Sequence, residues 1–152
     1  VTVQDELSPD QLARACADAM WANDHASKGL GMEVVEIGPG TATLAMTVTT
    51  EMVNGHGIAH GGFIFTLADS AFAYACNSYN DSTVAAQGAI SFLRPGKLGA
   101  RLVAVAREVS RSGRSGIYDV RVSSGSVVIA EFRGHSRSIG GTLVPQHQQD
   151  QR

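Results

Sequence analysis

Apolar residues recur along this chain in two rhythms. Leu12, Ala15, Cys16, Ala19 and Met20 fall at the three- and four-residue spacing of one helical face. Ser8-Pro9-Asp10-Gln11 reads as the start of that helix, with Ser8 as N-cap, Pro9 in the first helical position and Gln11 closing a capping box. Gly29 and Gly31 end the element. Met32 to Ile37 then reads as a strand, Gly38-Pro39-Gly40 as a turn, and the β-branched run Thr41 to Thr50 as a second strand. From Gly61 to about Asn77 the chain is apolar nearly all round, so the spacing predicts a buried helix rather than a surface one. Four strand-like segments follow: Thr83 to Leu93, Leu98 to Val109, Gly116 to Ser123 and Val127 to Ser138. Arg94-Pro95-Gly96, Ser112-Gly113-Arg114 and Ser124-Gly125-Ser126 separate them, and connections this short predict antiparallel neighbours. One long helix covers only part of such a sheet, so the pattern predicts that a second copy of the chain completes the fold.

Length and composition narrow the class. The 152 residues suit one domain, expected over 1–141, and the Gly-, Gln- and charge-rich residues 142–152 read as a loose tail. No run is long or apolar enough to span a membrane, and Val1 to Asp10 is polar and acidic, unlike a secretory leader. Cys16 and Cys76 lie in apolar, helix-like stretches without metal-ligand spacing, which predicts buried free thiols and a cytoplasmic protein. Charge is unevenly spread: of fourteen acidic residues ten precede Arg94, and of twelve basic residues ten follow Leu93. The second part suits a polyanionic ligand, or its arginines simply solvate strand faces. A nucleic-acid partner is not expected, because no binding motif is present and the net charge is −2.

Within the apolar helix stands one acidic residue, Asp69, with apolar Phe65 and Ala73 at four residues to either side. A buried carboxylate must find donors or raise its pKa. Asp69 is therefore either a paired core residue or a general base or nucleophile at an apolar site. His60-Gly61-Gly62 opens the same helix, where first-turn N–H groups lack partners and glycines admit a ligand to the backbone. Such a terminus suits a phosphate or a developing oxyanion, although glycines there are often only caps. Gly61 and Asp69 lie about 12 Å apart along one helix, too far to reach one carbonyl carbon together. If both act on one substrate, they come from different copies.

The run N-G-x(4)-H-G-G-x(4)-L-A-D-x-A-F-A-Y-A-x-N-S, from Asn54 to Ser78, resembles the hotdog-fold acyl-coenzyme A thioesterases, most closely the phenylacetic-acid-degradation (PaaI) branch. Phe92-Leu93-Arg94-Pro95, Gly116-Ile117-Tyr118-Asp119-Val120 and Phe132-Arg133-Gly134 with Arg137 extend the resemblance, which covers roughly Leu12 to Gly141. It implies an α+β hotdog fold, a long helix wrapped by a curved antiparallel sheet, in dimers that pair into tetramers. It implies hydrolysis of an acyl-CoA thioester, arylacetyl-CoA first and medium-chain acyl-CoA as the alternative, with no cofactor or metal. By motif position Asp69 is the nucleophile or general base, and the Gly61 N–H of the other subunit polarises the carbonyl. Asn54 and His60 position the substrate carbonyl and the glycine loop, or the water; a structural histidine is the alternative for His60. Relatives place a Ser or Thr on the third strand to hold the attacking water. Here Ala85 and Ala86 stand in that region, leaving Thr83 or Gln87 to substitute. Further substrate contacts are expected from Gly62, Arg94, Pro95, Arg111, Arg114 and Arg133, the arginines facing the coenzyme A phosphates with Lys97 and Arg137. Phe63, Phe65, Phe72, Tyr74 and Phe92 are either an aromatic acyl pocket or core. Two other readings fit the same scaffold. One is a hydratase or dehydratase on CoA or carrier-protein thioesters, although the hydratase-like motif of an Asp followed by a His in one short loop is not seen here. The other is an acyl-CoA-binding protein without catalysis.

Overall fold

The computed structural model describes residues 6–145. Its elements run α1 (Pro9–Asn23), α2 (His25–Gly29), β1 (Glu33–Gly38), β2 (Thr41–Thr47), a 3-10 turn (Thr50–Met52), α3 (Gly61–Cys76), β3 (Thr83–Phe92), β4 (Arg101–Ser112), β5 (Ser115–Ser124) and β6 (Val127–Ser138). The local signals hold at α1: Gln11 N–H donates to Ser8 Oγ, Ser8 N–H donates back to Gln11 Oε1, and Pro9 occupies the first turn. Asp24 breaks that helix and caps α2, accepting from Ser27 N–H at 3.0 Å through one oxygen and from the Tyr74 hydroxyl at 3.0 Å through the other.

One antiparallel sheet of six strands in the order β1-β2-β4-β5-β6-β3 curves around α3. Ile64, Leu67, Ala68, Ala71, Phe72 and Ala75 line the buried face of α3, spaced as one helical stripe. They meet the inward residues of the central strands, including Leu44, Leu102, Ala104, Val120 and Phe132. The helix lies close to the sheet because glycine faces its rings: a Cβ on Gly134 would stand 2.8–2.9 Å from three Phe72 ring atoms. Phe72 is itself held between Tyr118 and Phe132, with ring centroids 5.7 and 5.8 Å away. Gly134→Ala should therefore cost about 1–3 kcal/mol and lower the thermal midpoint by roughly 2–12 °C. A circular-dichroism melt checks this, and an unchanged midpoint would show that Phe72 can move aside.

The structure corrects the expected strand order. β3 pairs with β6, not with β4, and so forms an edge of the sheet. Residues 93–100 are a crossing rather than a hairpin turn. Leu93 and Arg94 N–H still donate to Ile129 O on β6; Gly96 O then accepts from Ala59 N–H, and Val48 O accepts from Gly99 N–H. The chain thus rounds the end of the sheet to reach β2, and β4 begins at Arg101 instead of Leu98. The domain also runs past residue 141. Leu143 and Val144 N–H both donate to Asn80 Oδ1 at 2.9 Å, and Asn80 Nδ2 donates to Val144 O at 3.1 Å. The first part of the expected tail is therefore fastened; residues 146–152 lie outside the described residues. Cys16 and Cys76 are buried and unpaired, and burial pushes the Cys76 thiol up to about 12. Among the described residues no helix is long and apolar enough to cross a membrane.

Candidate active site

The start of α3 is built by its neighbours in sequence. Asn54 folds the preceding loop: its Oδ1 accepts from His56 N–H at 2.9 Å and Ile58 N–H at 3.4 Å. Its backbone N–H donates to Ile58 O at 2.9 Å, closing the turn. The loop then bridges Ile58 to Lys97 and Ala59 to Gly96 O. His60 caps the helix, with Nδ1 accepting from Gly62 N–H at 2.9 Å and its own N–H donating to Met52 O at 2.7 Å. Nδ1 therefore carries no proton there, and the neutral ring keeps its N–H on Nε2. These bonds account for the N–H groups of His60 and Gly62. The Gly61 N–H between them has no acceptor among the described residues. It sits at the positive end of a sixteen-residue helix, where negative charge is favoured.

Gly61 also lies close against an aromatic ring. A Cβ there would lie 2.9 Å from Phe92 Cζ at the end of β3. Asn54, Gly61, Phe92, Arg94 and Pro95 line one open cleft of about 450 Å³, together with Ile58, Ala59, Ile64, Leu93 and Gly96. The lining is largely apolar, and Arg94, the one cation in it, also donates to Val128 O at 2.9 Å.

Asp69 stands two turns along α3 on the stripe that the sheet leaves uncovered, with Gly62, Thr66 and Ala73. It is half-buried, and its carboxylate has no hydrogen-bond or ion-pair partner among the described residues. Burial alone raises its pKa above the ordinary carboxylate range, because the charged form loses solvation. Among the described residues, then, Asp69 is not the paired core residue that was one of the two readings open at the level of sequence.

The remaining expected contacts are not gathered here. Thr83, Arg111 and Arg114 meet at the opposite end of α3, around a space of about 20 Å³ beside Cys76, room for a water. The Thr83 hydroxyl donates to Asp81 O at 2.8 Å, and Arg111 lies 3.5 Å over the Tyr79 ring centroid. Gln87 pairs in register with His135, which turns it to the sheet face away from α3. Arg133 is on that outer face too, forked onto Asp119 at 2.7 and 2.8 Å, and this pair lowers the Asp119 pKa. The five aromatic candidates separate as well. Phe72 and Tyr74 are core and Phe63 and Phe65 pack against it, leaving Phe92 in the cleft. Ile58 and Ile64 also line the cleft and had no sequence signal beyond being apolar. Among the described residues no three His, Cys, Asp or Glu side chains gather where they could share a metal ion.

The Thioesterase superfamily profile matches residues 56–130, which spans both Gly61 and Asp69. Acyl-coenzyme A thioesterase PaaI of Escherichia coli strain K12 is 45% identical over 129 residues, covering 84% of this chain and 92% of that protein. The solved structure of the E. coli PaaI protein from the phenylacetic acid degradation operon superposes with a TM-score of 0.87 at 43% identity, over 89% of this chain and 99% of that one. A Streptococcus mutans UA159 protein solved with acetyl CoA bound is 28% identical, with a TM-score of 0.70 over 73% of this chain and 90% of that one. Agreement of this extent, in sequence and in backbone, across nearly the full length of the E. coli protein means that the chain belongs to the hotdog thioesterase superfamily, as an acyl-CoA thioesterase of the PaaI type.

Proposed function

We propose that two copies of this chain build each active site and hydrolyse arylacetyl-CoA thioesters, phenylacetyl-CoA or its ring-hydroxylated forms, to the free acid and coenzyme A. The observation that carries the reading is a pair of groups on α3 left without partners among the described residues: the Gly61 N–H at its start and the half-buried Asp69 carboxylate. The N–H suits the oxygen of a tetrahedral intermediate. The carboxylate either draws a proton from an attacking water or attacks the carbonyl itself. A thioester carbonyl is already electrophilic and the thiolate leaves readily, so these two groups suffice without a Ser-His-Asp triad. The operon of the E. coli relative supports an arylacetyl group, and the acetyl CoA held by the S. mutans protein supports a CoA thioester.

Geometry supports the second copy. β3 presents an outer edge ten residues long without a charge or a proline, and residues 84–89 are exposed. Such an edge pairs readily with another strand. Along it, Gly88 lies level with Phe65 of α3, whose ring is 3.3 Å from the Cβ position, and Phe92 lies level with Gly61. Asp69 is as far beyond Phe65 as Gly61 is before it. A two-fold axis near Gly88, joining β3 to β3 of a second copy, therefore carries Gly61 of one subunit toward Asp69 of the other. Two such dimers make the expected tetramer.

Sedimentation run beside a thiol-release assay on phenylacetyl-CoA, hexanoyl-CoA and acetyl-CoA tests this. Activity confined to the dimer or tetramer, with the highest kcat/KM on phenylacetyl-CoA, is the expected result. A fully active monomer would sink the shared site, and a preference for hexanoyl-CoA would replace the substrate.

A further inference from the structure

We propose that Phe92 sorts the acyl group, an inference that rests on the thioesterase reading above. Most of the aromatic side chains that face α3 are closed into the core by others, as Phe72 is by Tyr118 and Phe132. Phe92 is not: it is 53% exposed, although it stands on the sheet face that looks toward the helix. Among the described residues of the protomer nothing closes over this ring. The ring lies against Gly61, whose three nearest prospective contacts, at 2.9–3.4 Å, are all Phe92 ring atoms. A carbonyl oxygen accepting from the Gly61 N–H therefore places its carbon, and whatever the carbon bears, beside that ring.

A thioester carbonyl bears two chains, and the lining decides which one meets Phe92. The pantetheine arm carries amides and ends in phosphates, which need polar partners along their path. Around Phe92 the cleft offers Ile58, Ala59, Ile64 and Leu93, with polar side chains only from Asn54 and Arg94. That wall suits the apolar acyl chain. An aromatic acyl group gains ring-to-ring contact there, which the single methyl of an acetyl group cannot make. Phe92 is thus assigned to specificity, not to bond making: the carbonyl and the attacking group do not depend on it.

Phe92→Ala is the test, read as kcat/KM on phenylacetyl-CoA and acetyl-CoA. The expected result is a loss of about tenfold on phenylacetyl-CoA and less than about twofold on acetyl-CoA, a narrowing of selectivity that a merely structural residue would not produce. Because Phe92 ends an edge strand, the oligomeric state is measured alongside. If Phe92→Ala alters it, Phe92→Leu carries the test, keeping apolar bulk without the aromatic face. Equal losses on the two substrates would place the pantetheine arm against Phe92 and overturn the assignment, as would no loss on either. Native protein that releases thiol from neither substrate would overturn the thioesterase reading itself, and this assignment with it.

Discussion

Asp69→Asn lowers kcat by at least about 10²-fold, the low end for removing a general base. Asparagine keeps the shape and a polar group but cannot take a proton or attack. KM changes little, since the cleft beside Gly61 and its apolar lining are untouched. The pH profile of the native enzyme carries the same information. Its acid limb falls as Asp69 becomes protonated, at a pH above the ordinary carboxylate range, because burial raises that pKa. Stability moves the opposite way from activity. A carboxyl whose pKa is raised by folding stabilises the fold while protonated, and that contribution is lost as pH rises through the folded value. Once ionised, Asp69 thus weighs against the protomer, and Asp69→Asn then melts no lower than the native chain. At a pH low enough to protonate Asp69 in both states, the difference closes. A variant that melts well below the native protein at neutral pH, yet keeps its kcat, would show that Asp69 is a structural residue.

Gly61→Pro lowers kcat by about 10²–10³-fold, the range for losing one oxyanion donor. Proline suits the first turn of a helix, and the residue before it, His60, already has the extended backbone that proline demands, with φ −61° and ψ 133°. What the substitution removes is a first-turn N–H that neither His60 nor the loop satisfies among the described residues. It also adds a Cβ against Phe92, so Gly61→Ala is the control: the same Cβ, with the N–H kept. Alanine should lose much less, as the exposed Phe92 ring swings aside. Equal losses in the two variants would assign the effect to sterics rather than to the N–H. Mixing Gly61→Pro subunits with Asp69→Asn subunits then tests the shared site. Each heterodimer joins one intact Asp69 to one intact Gly61 N–H, so part of the activity returns. Heterodimers that form, fold and recover nothing would sink the two-copy site.

Much of this molecule was legible in the order of its residues. The Ser8–Gln11 box, the hairpin turn at Gly40 and the apolar run of α3 are local signals, each decided by residues within a turn or two of one another. The candidate site is local in the same way: Asn54, His60, Gly61 and Asp69 lie on one loop and one helix, and helical rise alone separates Gly61 from Asp69. The tertiary structure decided what depends on chain segments far apart. A short connection could not reveal that 93–100 rounds the end of the sheet, because its hydrogen bonds go to Val48, Ala59 and Ile129. That path puts β3 at an edge, where its uncharged strand edge is left unpaired among the described residues. Basic residues late in the chain suggested a common anion, yet strand pairing sends Arg133 to Asp119 on the outer face and Arg111 onto Tyr79 at the far end of α3. Among the aromatic residues, only long-range packing could separate Phe72, closed in by Tyr118 and Phe132, from Phe92, left beside Gly61. Periodicity reports which face of an element is apolar; what that face meets is fixed by pairing between residues distant in the chain.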